Sequence, residues 1–549
     1  MKIKFCGAAV GVTGSCHLVT SGEHKILLDC GQFQGGKAQE ELNFEEFPFD
    51  PKEIECVVLS HAHIDHCGRL PLLVKRGFKG KIYCTDATGD LLEIMLKDSG
   101  YIHEKEAEWK NRKNQRMGRP LIEPLYTFND SVETLKYINS VRYDQMIQLN
   151  ENMRVVFNDA GHILGSAIIE LWIKEGDNEK KIVFSGDIGV NDRPILRNPT
   201  QIKSADVVIM ETTYGDRLHP AEGNGIEDLI EIIIKTYKRG GSVIIPSFAV
   251  GRTQELIYEL NKYFENSSKY KKELGDLTVY IDSPMATNAT EVFKANAQVF
   301  DEEAKGFLLR GDNPLDFVGL KFTKTTKDSQ WLNTDKEPKV IISASGMCEA
   351  GRIRHHLKHN LWNSKASIVF VGYQAEGTLG RNIINGQKEV VLFGEDIHIN
   401  AEIHNLEGFS GHADKDGLLD WVSGFKKKPS QIFLVHGEMI GKEAFAKTLN
   451  EQFGYDPIVV TGYTEYEIDT GKVLGQDERI EKEIHDEEIM KIKGRIAVIH
   501  NDLEKVLYNA SLSIGSDIDE ESLTKVRNQL LEIEKGTMSL SSAIATKKE

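Results

Sequence analysis

The chain has 549 residues, more than one hydrophobic core normally covers, so we expect two or three folding units. Hydrophobic residues make up 40% and charged residues 28%, which excludes a collagen-like or largely disordered chain. The net charge of −17 argues against an extensive nucleic-acid surface, although a metal site would supply positive charge where a phosphate binds. No apolar run approaches the roughly 18 residues of a membrane helix, and seven scattered cysteines favour reduced thiols in the cytoplasm.

The first 210 residues alternate short β-branched runs with turns and helical stretches, and the runs are predicted to be strands. Several runs end directly in a polar residue, at Asp29, Ser60, Asp159, Ser185 and Glu211. Because α/β proteins place their chemistry where strands end in loops, we expect the functional site along this edge. The predicted strands cover 26–28, 56–60, 81–84, 154–157, 167–172, 182–184 and 207–210.

Residues 211–400 are predicted to form a second domain, inserted into the first. Apolar residues from Ile226 to Tyr237 keep helical spacing and stop at Gly240-Gly241. Strand-like runs at 242–246, 278–282, 339–343 and 367–371 each precede a turn and a helical stretch, which is typical of a parallel sheet. The run 431–435 resumes the style of the first part, so residues 401–475 are expected to return to the first domain.

Residues 476–549 are predicted to form a helical hairpin that turns at Gly515-Ser-Asp. Apolar residues at helical spacing form a seam that is expected to pack the two helices on each other, with dimerisation as the alternative. A homodimer through this extension is therefore a further expectation. The seam consists of Ile489, Ile492, Ile496, Ile499, Leu503 and Val506, then Leu523, Val526, Leu530 and Ile533.

The strongest motif is His61-Ala-His63-Ile-Asp65-His66, which follows the strand predicted at 56–60. Three imidazoles and a carboxylate within six residues are ligands that suit zinc and similar ions. Residues two apart point the same way in an extended stretch, so His61 and His63 are expected to share one metal. Asp65 and His66 then reach a second metal.

Each metal needs further ligands, and three glycine-flanked residues near strand ends are candidates: His162, Asp187 and His436. Taken singly, each would be an ordinary loop residue. Together with the first motif they complete two metal sites.

The order of these residues resembles the four motifs of the metallo-β-lactamase superfamily, with Asp29 as the first of them. Glu211-Thr-Thr-Tyr-Gly-Asp, Gly408-Phe-Ser-Gly-His412-Ala-Asp and Val435-His436-Gly-Glu resemble the three further motifs of its β-CASP branch. That branch contains the endonuclease subunit of the eukaryotic mRNA 3′-end cleavage factor and RNase J. The resemblance covers roughly residues 1 to 475. It implies an α/β fold: a four-layer αβ/βα sandwich with an inserted parallel-sheet β-CASP domain.

The resemblance also implies the role of each ligand. His61, His63 and His162 would hold one zinc, Asp65, His66 and His436 the other, and Asp187 would bridge them. Asp29 would orient a ligand imidazole through its other ring nitrogen. Manganese suits the same ligands. Family nucleases that act on DNA typically lack the last histidine, so His436 favours RNA as the substrate.

The ligand set suggests a mechanism for RNA hydrolysis. A hydroxide bridging the two metals would attack phosphorus, and Asp65 would orient it or take its proton. His412, paired with Glu211, would protonate the leaving 3′ oxygen, giving 3′-hydroxyl and 5′-phosphate ends. Two further segments resemble the cleavage-factor-like members of the branch, which favours an endonuclease: Pro246-Ser-Phe-Ala-Val-Gly-Arg252-Thr-Gln-Glu and Ser343-Ala-Ser-Gly-Met-Cys-Glu-Ala-Gly-Arg-Ile-Arg354-His-His. A 5′→3′ exonuclease, a DNA nuclease, a hydrolase of small esters and a non-catalytic scaffold are the alternatives.

Several residues are expected to bind RNA beyond the cleaved phosphodiester. Arg252 can offer its guanidinium to a phosphate, and the backbone at Ser345 and Gly346 can cradle one. Arg354 belongs to a basic helical cluster that is an RNA track or a solvated face. The basic stretch from Lys105 to Arg119, with Trp109, is interpreted as a solvated helix face.

Overall fold

The computed structural model describes residues 1–476 apart from 220–224, 267–269, 275–276, 373, 375–376 and 407–409. Beyond 476 it describes only residues 503, 524–531, 533, 535 and 536. The chain divides into two compact units, Met1–Asp477 and Glu478–Glu549. Within the described residues, no helix is long and apolar enough to cross a membrane.

Two mixed sheets form the sandwich of the first unit, and each contains strands from both ends of that unit's sequence. The first sheet has eight strands, in the spatial order Val473–Gln476, Thr464–Glu467, Lys2–Phe5, His17–Ser21, His24–Leu28, Cys56–Val58, Lys81–Thr85 and Ile138–Val141. The second has seven, in the order Ile458–Val459, Gln431–Leu434, Val207–Met210, Asn178–Phe184, Ala167–Glu175, Met153–Asp159 and Ile147–Gln148. All seven strands predicted in the first 210 residues are confirmed.

The two sheets pack face to face because alternate residues of each strand are apolar. A single buried core lies between them and includes Phe5, Leu28, Phe157, Phe184 and Phe433. A second core covers the other face of the seven-stranded sheet, where Trp421 and Phe445 of two helices pack on it. The helices of the sandwich are Lys37–Leu42, Ile64–Cys67, Leu70–Lys75, Asp86–Arg116, Phe128–Thr134, Lys415–Ser423 and Met439–Phe453, with 3-10 turns at Pro51–Glu53 and Leu135–Tyr137.

The inserted domain is built on a six-stranded sheet in which every neighbouring pair is parallel, as predicted. Its strands lie in the order Leu320–Phe322, Val279–Ile281, Val340–Ser343, Val243–Pro246, Ser367–Phe370 and Glu402–Asn405. Its helices are Gly225–Lys238, Arg252–Asn261, Lys271–Leu274, Pro284–Ala295, Glu302–Leu309, Thr326–Thr334, Ile353–Asn360 and Leu379–Ile384, with shorter turns at Lys262–Asn266 (π) and Ala297–Val299 (3-10). An antiparallel hairpin joins Glu389–Leu392 to Glu395–His398.

One strand differs from the predicted domain bounds. The return to the sandwich was expected at residue 401, but Glu402–Asn405 pairs in parallel with Ser367–Phe370 and is the last strand of the inserted sheet. The stretch is only four residues long and lacks the apolar run of the other strands, so its sequence did not predict a strand. The other domain bounds stay predictions.

The topology gathers the polar strand ends at one edge of the sandwich. Val207–Met210 and Gln431–Leu434 are parallel neighbours, in register from Val207 to Met210. Glu211 and His436 follow these two strands and therefore emerge at the same edge, although more than two hundred residues of inserted domain and return segment separate them.

The second unit is described only in part. Residues 524–531 are helical, which agrees with the second helix of the predicted hairpin. Apart from Leu503, the first helix of that prediction and the turn at Gly515 lie outside the described residues. All seven cysteines belong to the first unit and are free and buried, as the sequence predicts.

Candidate metal centre

The His61-to-His66 motif lies where a buried strand passes into a short helix. The strand Cys56–Val58 ends two residues before Ser60, and the helix Ile64–Cys67 begins after His63, its N-cap residue. The extended stretch aims His61 and His63 toward the site, and the first helical turn brings Asp65 and His66 to the same edge. The strand–helix junction thus places all four side chains together.

The first group of ligand atoms comes from His61, His63, His162 and Asp187, and all four atoms lie within 4.8 Å of one another. His63 Nδ1 lies 3.1 Å from His61 Nε2 and 3.2 Å from His162 Nε2. Two imidazole nitrogens in a tetrahedral zinc site are about 3.3 Å apart, since the metal–nitrogen bonds are about 2.0–2.1 Å. The group has the dimensions of a metal site.

The second group consists of Asp65, His66 and His436. The Nε2 atoms of His66 and His436 are 3.2 Å apart, and Asp65 Oδ2 lies 3.5 Å from His436 Nε2. His66 Nδ1 donates to the carboxylate of Asp29 at 2.7 Å, so its Nε2 presents a lone pair when the ring is neutral. Two such nitrogens facing each other are repelled unless a metal ion or a shared proton lies between them.

Asp187 lies between the two groups. Its Oδ2 atom is 3.5 Å from His61 Nε2, 3.3 Å from His66 Nε2 and 3.7 Å from His162 Nε2. Its Oδ1 atom is buried and has no hydrogen-bond partner among the residues that the structure describes. A buried carboxylate oxygen without a donor is costly unless a cation neutralises it, so the donor set fits metal ions on both sides of Asp187.

The environment keeps the first group of imidazoles in the metal-binding form. Burial lowers the pKa of His63 to about 4, and it holds the pKa values of His61 and His162 well below their ordinary range. These rings are therefore neutral at physiological pH and offer lone pairs to a metal.

Hydrogen bonds behind the ligands fix their orientation. Asp29 is fully buried and accepts from the Ser60 amide at 2.7 Å and from the Ser15 hydroxyl at 2.9 Å, besides its bond to His66. His162 Nδ1 donates to the Gly411 carbonyl at 3.0 Å, which leaves Nε2 for the metal. Asp29 (φ 61°) and His436 (φ 47°) adopt the left-handed conformation, a strain common at functional sites.

His412 and Glu211 form a pair beside the two groups. His412 Nδ1 lies 3.3 Å from Glu211 Oε2, and Glu211 is fully buried, with Oε1 accepting from the Ile188 amide at 2.5 Å. Burial alone would lower the pKa of His412, but the carboxylates of Glu211, Asp187 and Asp65 together raise that pKa to about 9. His219 Nε2 lies 2.9 Å from the carbonyl oxygen of His412 and holds its loop. Gly408 and Phe409 of this motif lie outside the described residues.

Comparison with known proteins identifies the family. Residues 9–129 match the profile of the Metallo-beta-lactamase superfamily, 253–383 that of the Beta-Casp domain and 396–460 that of the Zn-dependent metallo-hydrolase RNA specificity domain. The ribonuclease TTHA0252 of Thermus thermophilus is 38% identical over 438 residues, covering 80% of this chain and 93% of the relative. This chain belongs to the β-CASP family of metallo-β-lactamase-fold hydrolases.

Two archaeal proteins of Methanocaldococcus jannaschii are also similar. The RNase J-like protein is 34% identical over 452 residues, which cover 81% of this chain and 95% of the relative. The transcription termination factor FttA is 32% identical over 462 residues, which cover 82% of this chain and 69% of the relative. The expected family and fold are confirmed: the chain is a metal-dependent hydrolase of the β-CASP branch, and the converging His and Asp residues are the candidate ligands of its metal site.

Four residues were expected to bind RNA beyond the cleaved bond. In this β-CASP hydrolase they differ in how far contacts within the protein already occupy them. Arg252 is buried and pairs with Glu255 in the first turn of its helix, so its guanidinium is engaged inside the protein rather than offered to a phosphate. Burial lowers the pKa of Arg252 to about 10. The Ser345 hydroxyl hydrogen-bonds to the backbone of Ala350, and the Gly346 carbonyl accepts from Gln374. Arg354 is half-buried and stacks over Phe393.

The sequence did not single out Arg193, although it contacts two parts of the β-CASP site. Its guanidinium donates to the Gly411 carbonyl at 3.0 Å and to the His162 carbonyl at 3.3 Å, and it pairs with Glu255 of the inserted domain. The sequence did not predict the contact of Thr213 either, whose hydroxyl lies 3.1 Å from His436 Nδ1. Neither residue has a spacing that predicts its partner, because both contacts arise from loop packing.

Proposed function

We propose that this β-CASP hydrolase is a zinc-dependent endoribonuclease that hydrolyses RNA phosphodiesters to 3′-hydroxyl and 5′-phosphate ends, with His412 as the general acid. The observation that carries the proposal is the position of His412. Its Nδ1 faces Glu211, and it is also 3.9 Å from the Oδ2 atom of Asp187, which lies between the two ligand groups. A proton donor beside a metal site is the arrangement that phosphodiester hydrolysis requires.

Two zinc ions are proposed for the two ligand groups, with Asp187 as the ligand common to both. Histidine nitrogen and aspartate oxygen are the ligands that zinc takes in catalytic sites, and manganese suits the same set. Bound there, the metals would lower the pKa of water and stabilise negative charge on the phosphate.

Asp65 and His412 are proposed to act on opposite sides of the phosphate. The Asp65 carboxylate is 19% exposed at the site, so it can accept a hydrogen bond from the attacking water. Glu211 fixes the ring of His412 through Nδ1, and Nε2 has no hydrogen-bond partner within the part of the chain that the structure describes. Nε2 is therefore the nitrogen assigned to protonate the leaving 3′ oxygen.

Two observations favour RNA over other substrates. His436 occupies the ligand position that DNA-specific relatives typically lack, and it contacts the rest of the second ligand group. Two relatives that are covered over more than nine tenths of their own length are a ribonuclease and an RNase J-like protein. Both support RNA as the substrate of this chain.

The decisive experiment offers the purified, zinc-assayed protein one RNA in two forms, labelled at its 5′ end and circularised. We expect cleavage of the circle, because an endonuclease needs no free end. We expect His412→Ala to lower the rate by about a hundredfold or more, the contribution of a general acid, while the zinc content stays at the parental value. His398→Ala, in the exposed hairpin of the inserted domain, is the matched histidine control and should leave both values unchanged.

Other outcomes would revise the proposal in defined ways. Release of mononucleotides from the linear RNA with the circle intact would make the protein a 5′→3′ exonuclease. Loss of zinc in His412→Ala would reassign His412 as a ligand. A zinc-loaded protein that cleaves neither RNA but cleaves DNA or a small ester would refute the proposed substrate.

A further inference from the structure

The long helix Asp86–Arg116 continues past the sandwich core into an arm. From residue 108 to 122 the side chains are exposed except for Asn111 and Asn114, which hold the returning chain. The Asn111 amide group accepts from the Ile122 amide at 2.8 Å and donates to its carbonyl at 2.9 Å, and Asn114 donates to the Pro120 carbonyl at 3.0 Å. We call residues 109–122 the basic arm.

The basic arm carries a charge opposite to that of the chain as a whole. It contains five cations and no acidic residue, whereas the net charge of the protein is −17. None of the five lies within ion-pair distance of a carboxylate on any described residue, in contrast to Lys105 one turn before the arm, which pairs with Glu108. The five are Lys110, Arg112, Lys113, Arg116 and Arg119.

One face of the arm combines the cations with an aromatic ring. Trp109, Arg112, Lys113 and Arg116 follow the helical spacing of three and four residues and so lie on one face, opposite the buried Ala107. Trp109 is 62% exposed, although large apolar side chains are usually covered. An exposed ring among unpaired cations matches unpaired RNA, whose bases stack on aromatic rings and whose phosphates are anionic.

The helix that carries the arm passes the candidate ligand loop at His103. His103 Nε2 lies 3.3 Å from the side-chain oxygen of Gln32, and the Gln32 amide donates at 2.9 Å to the carbonyl of Ile64, between the ligands His63 and Asp65. At 1.5 Å per residue, the helix carries Trp109 about 9 Å and Arg116 about 20 Å beyond His103. The cationic face therefore lies between about 9 and 20 Å along the helix from the residue that contacts Gln32 beside the candidate ligand loop.

We propose that the basic arm is a docking surface for single-stranded RNA, which it holds outside the metal centre while the scissile phosphate occupies the site. The proposal rests on the proposed ribonuclease function and revises the sequence-based interpretation of this stretch as a merely solvated face. An RNA that is too short to reach the arm gains nothing from it. The arm is therefore expected to affect long substrates and to leave the chemical step unchanged.

The test compares two matched double variants of the full chain. Arg112→Gln with Arg116→Gln removes two cations from the arm, and glutamine preserves the helix. Lys426→Gln with Lys427→Gln removes two exposed cations before the strand Gln431–Leu434, at the sheet end opposite His436. Binding to a single-stranded RNA of about forty nucleotides is measured by anisotropy in the His412→Ala background over a range of salt. Turnover is measured in the His412-containing proteins on RNAs of about forty and about eight nucleotides.

We expect the arm variant alone to bind the long RNA at least about fivefold more weakly at low salt and to show a log–log salt slope shallower by about 1.4, the value for two phosphate contacts. Its kcat/KM should fall on the long RNA and stay at the parental value on the short one. Equal effects of the two variants on binding would overturn the docking surface. Unchanged RNA binding in the arm variant would also overturn it, and an acidic protein would then be the partner to test for the five cations. A parental protein that neither binds nor cleaves RNA would instead refute the proposed function itself.

A second variant tests the aromatic part of the surface. Trp109→Ala should weaken binding of unpaired RNA about tenfold, whereas Trp109→Phe should retain most of the affinity, because a phenyl ring still stacks. A fully paired RNA of the same length should bind both variants equally, since its bases are not available. Equal loss with Ala and Phe, or equal loss on paired RNA, would overturn the stacking role.

Discussion

At the residue scale, Glu255 connects the inserted domain to the metal site. Its carboxylate is buried and pairs with two arginines, Arg252 from its own helix and Arg193 from the sandwich. Arg193 in turn donates to the carbonyl of the candidate ligand His162 and to Gly411, one residue before His412. A Cβ atom on Gly411 would lie 3.2 Å from the Arg193 guanidinium, which would have to shift by a few tenths of an ångström to accommodate it. One carboxylate thus positions parts of both the metal centre and the proposed acid.

Glu255→Gln is expected to destabilise the protein by about 3 kcal/mol, because removing one partner leaves buried charges uncompensated. We also expect a lower kcat, since Arg193 would no longer be held against His162 and Gly411. Denaturant unfolding and turnover measure the two effects. Adding Arg252→Gln should recover part of the stability by removing one of the two cations that Glu255 neutralises.

Glu259→Gln is the matched control for this variant. Glu259 lies one turn further along the same helix and pairs only at 3.5 Å with Lys262. A Glu255→Gln variant that is no less stable than Glu259→Gln would show that the buried carboxylate does not link the domains.

At the scale of the element, the sequence predicted those features that lie within one strand and the loop that follows it. His61, His63, Asp65 and His66 were predictable because all four lie within six residues after a recognisable strand. The seven strands predicted in the first 210 residues were predictable because β-branched runs bounded by turns are local features. Glu402–Asn405 was not, since a short polar strand is stabilised by its neighbour Ser367–Phe370 and not by its own sequence.

Contacts between elements could not be predicted from the sequence, for a related reason. Arg252 opens a helix after a strand, a position that favours phosphate binding, yet its partner Glu255 and the second arginine Arg193 are brought to it by packing of the two domains. The burial of an arginine depends on what covers it, and no local pattern records that. The candidate metal ligands could be predicted nevertheless, because four of them lie in one loop.

His17, in the strand His17–Ser21, makes that element sensitive to acid. It is fully buried between the rings of Phe5 and Phe184, and its ring nitrogens have no hydrogen-bond partner among the described residues. Burial lowers the pKa of His17 from its ordinary value of 6.5 to about 3. Between these two values only the unfolded chain binds the proton, so the free energy of unfolding falls as the pH drops below 6.5.

His17→Ile is therefore expected to gain stability over the parent as the pH is lowered, by about 2 kcal/mol more at pH 5 than at pH 7. The branched apolar side chain also suits a strand and leaves no unpaired nitrogen in the core. Denaturant unfolding of both proteins across this pH range measures the difference. A constant difference between parent and variant would show that His17 does not titrate in this range.

At the scale of the whole molecule, every candidate ligand and both members of the His412–Glu211 pair lie within the unit Met1–Asp477. The second unit is accordingly proposed to have a role other than chemistry, and a homodimer through this extension stays our prediction. Removing residues 478–549 should leave zinc content and turnover on short RNA undiminished. Sedimentation should show a dimer for the full chain and a monomer for the shortened one. A shortened protein that still sediments as a dimer would place the interface in the first unit.

The order in which the site's parts are synthesised follows from one distance. The ring nitrogens of His66 and His436 are 3.2 Å apart, but 370 residues separate them along the chain. The ribosome therefore releases the first ligand loop, the whole inserted domain and His412 before the strand Gln431–Leu434 brings His436 into place. Domains fold as they emerge, and non-local contacts form late. If the proposed ligand set is needed for turnover, a nascent or prematurely terminated chain lacks a complete second ligand group, and the message being translated is not exposed to an active nuclease until the strand Gln431–Leu434 and His436 have emerged.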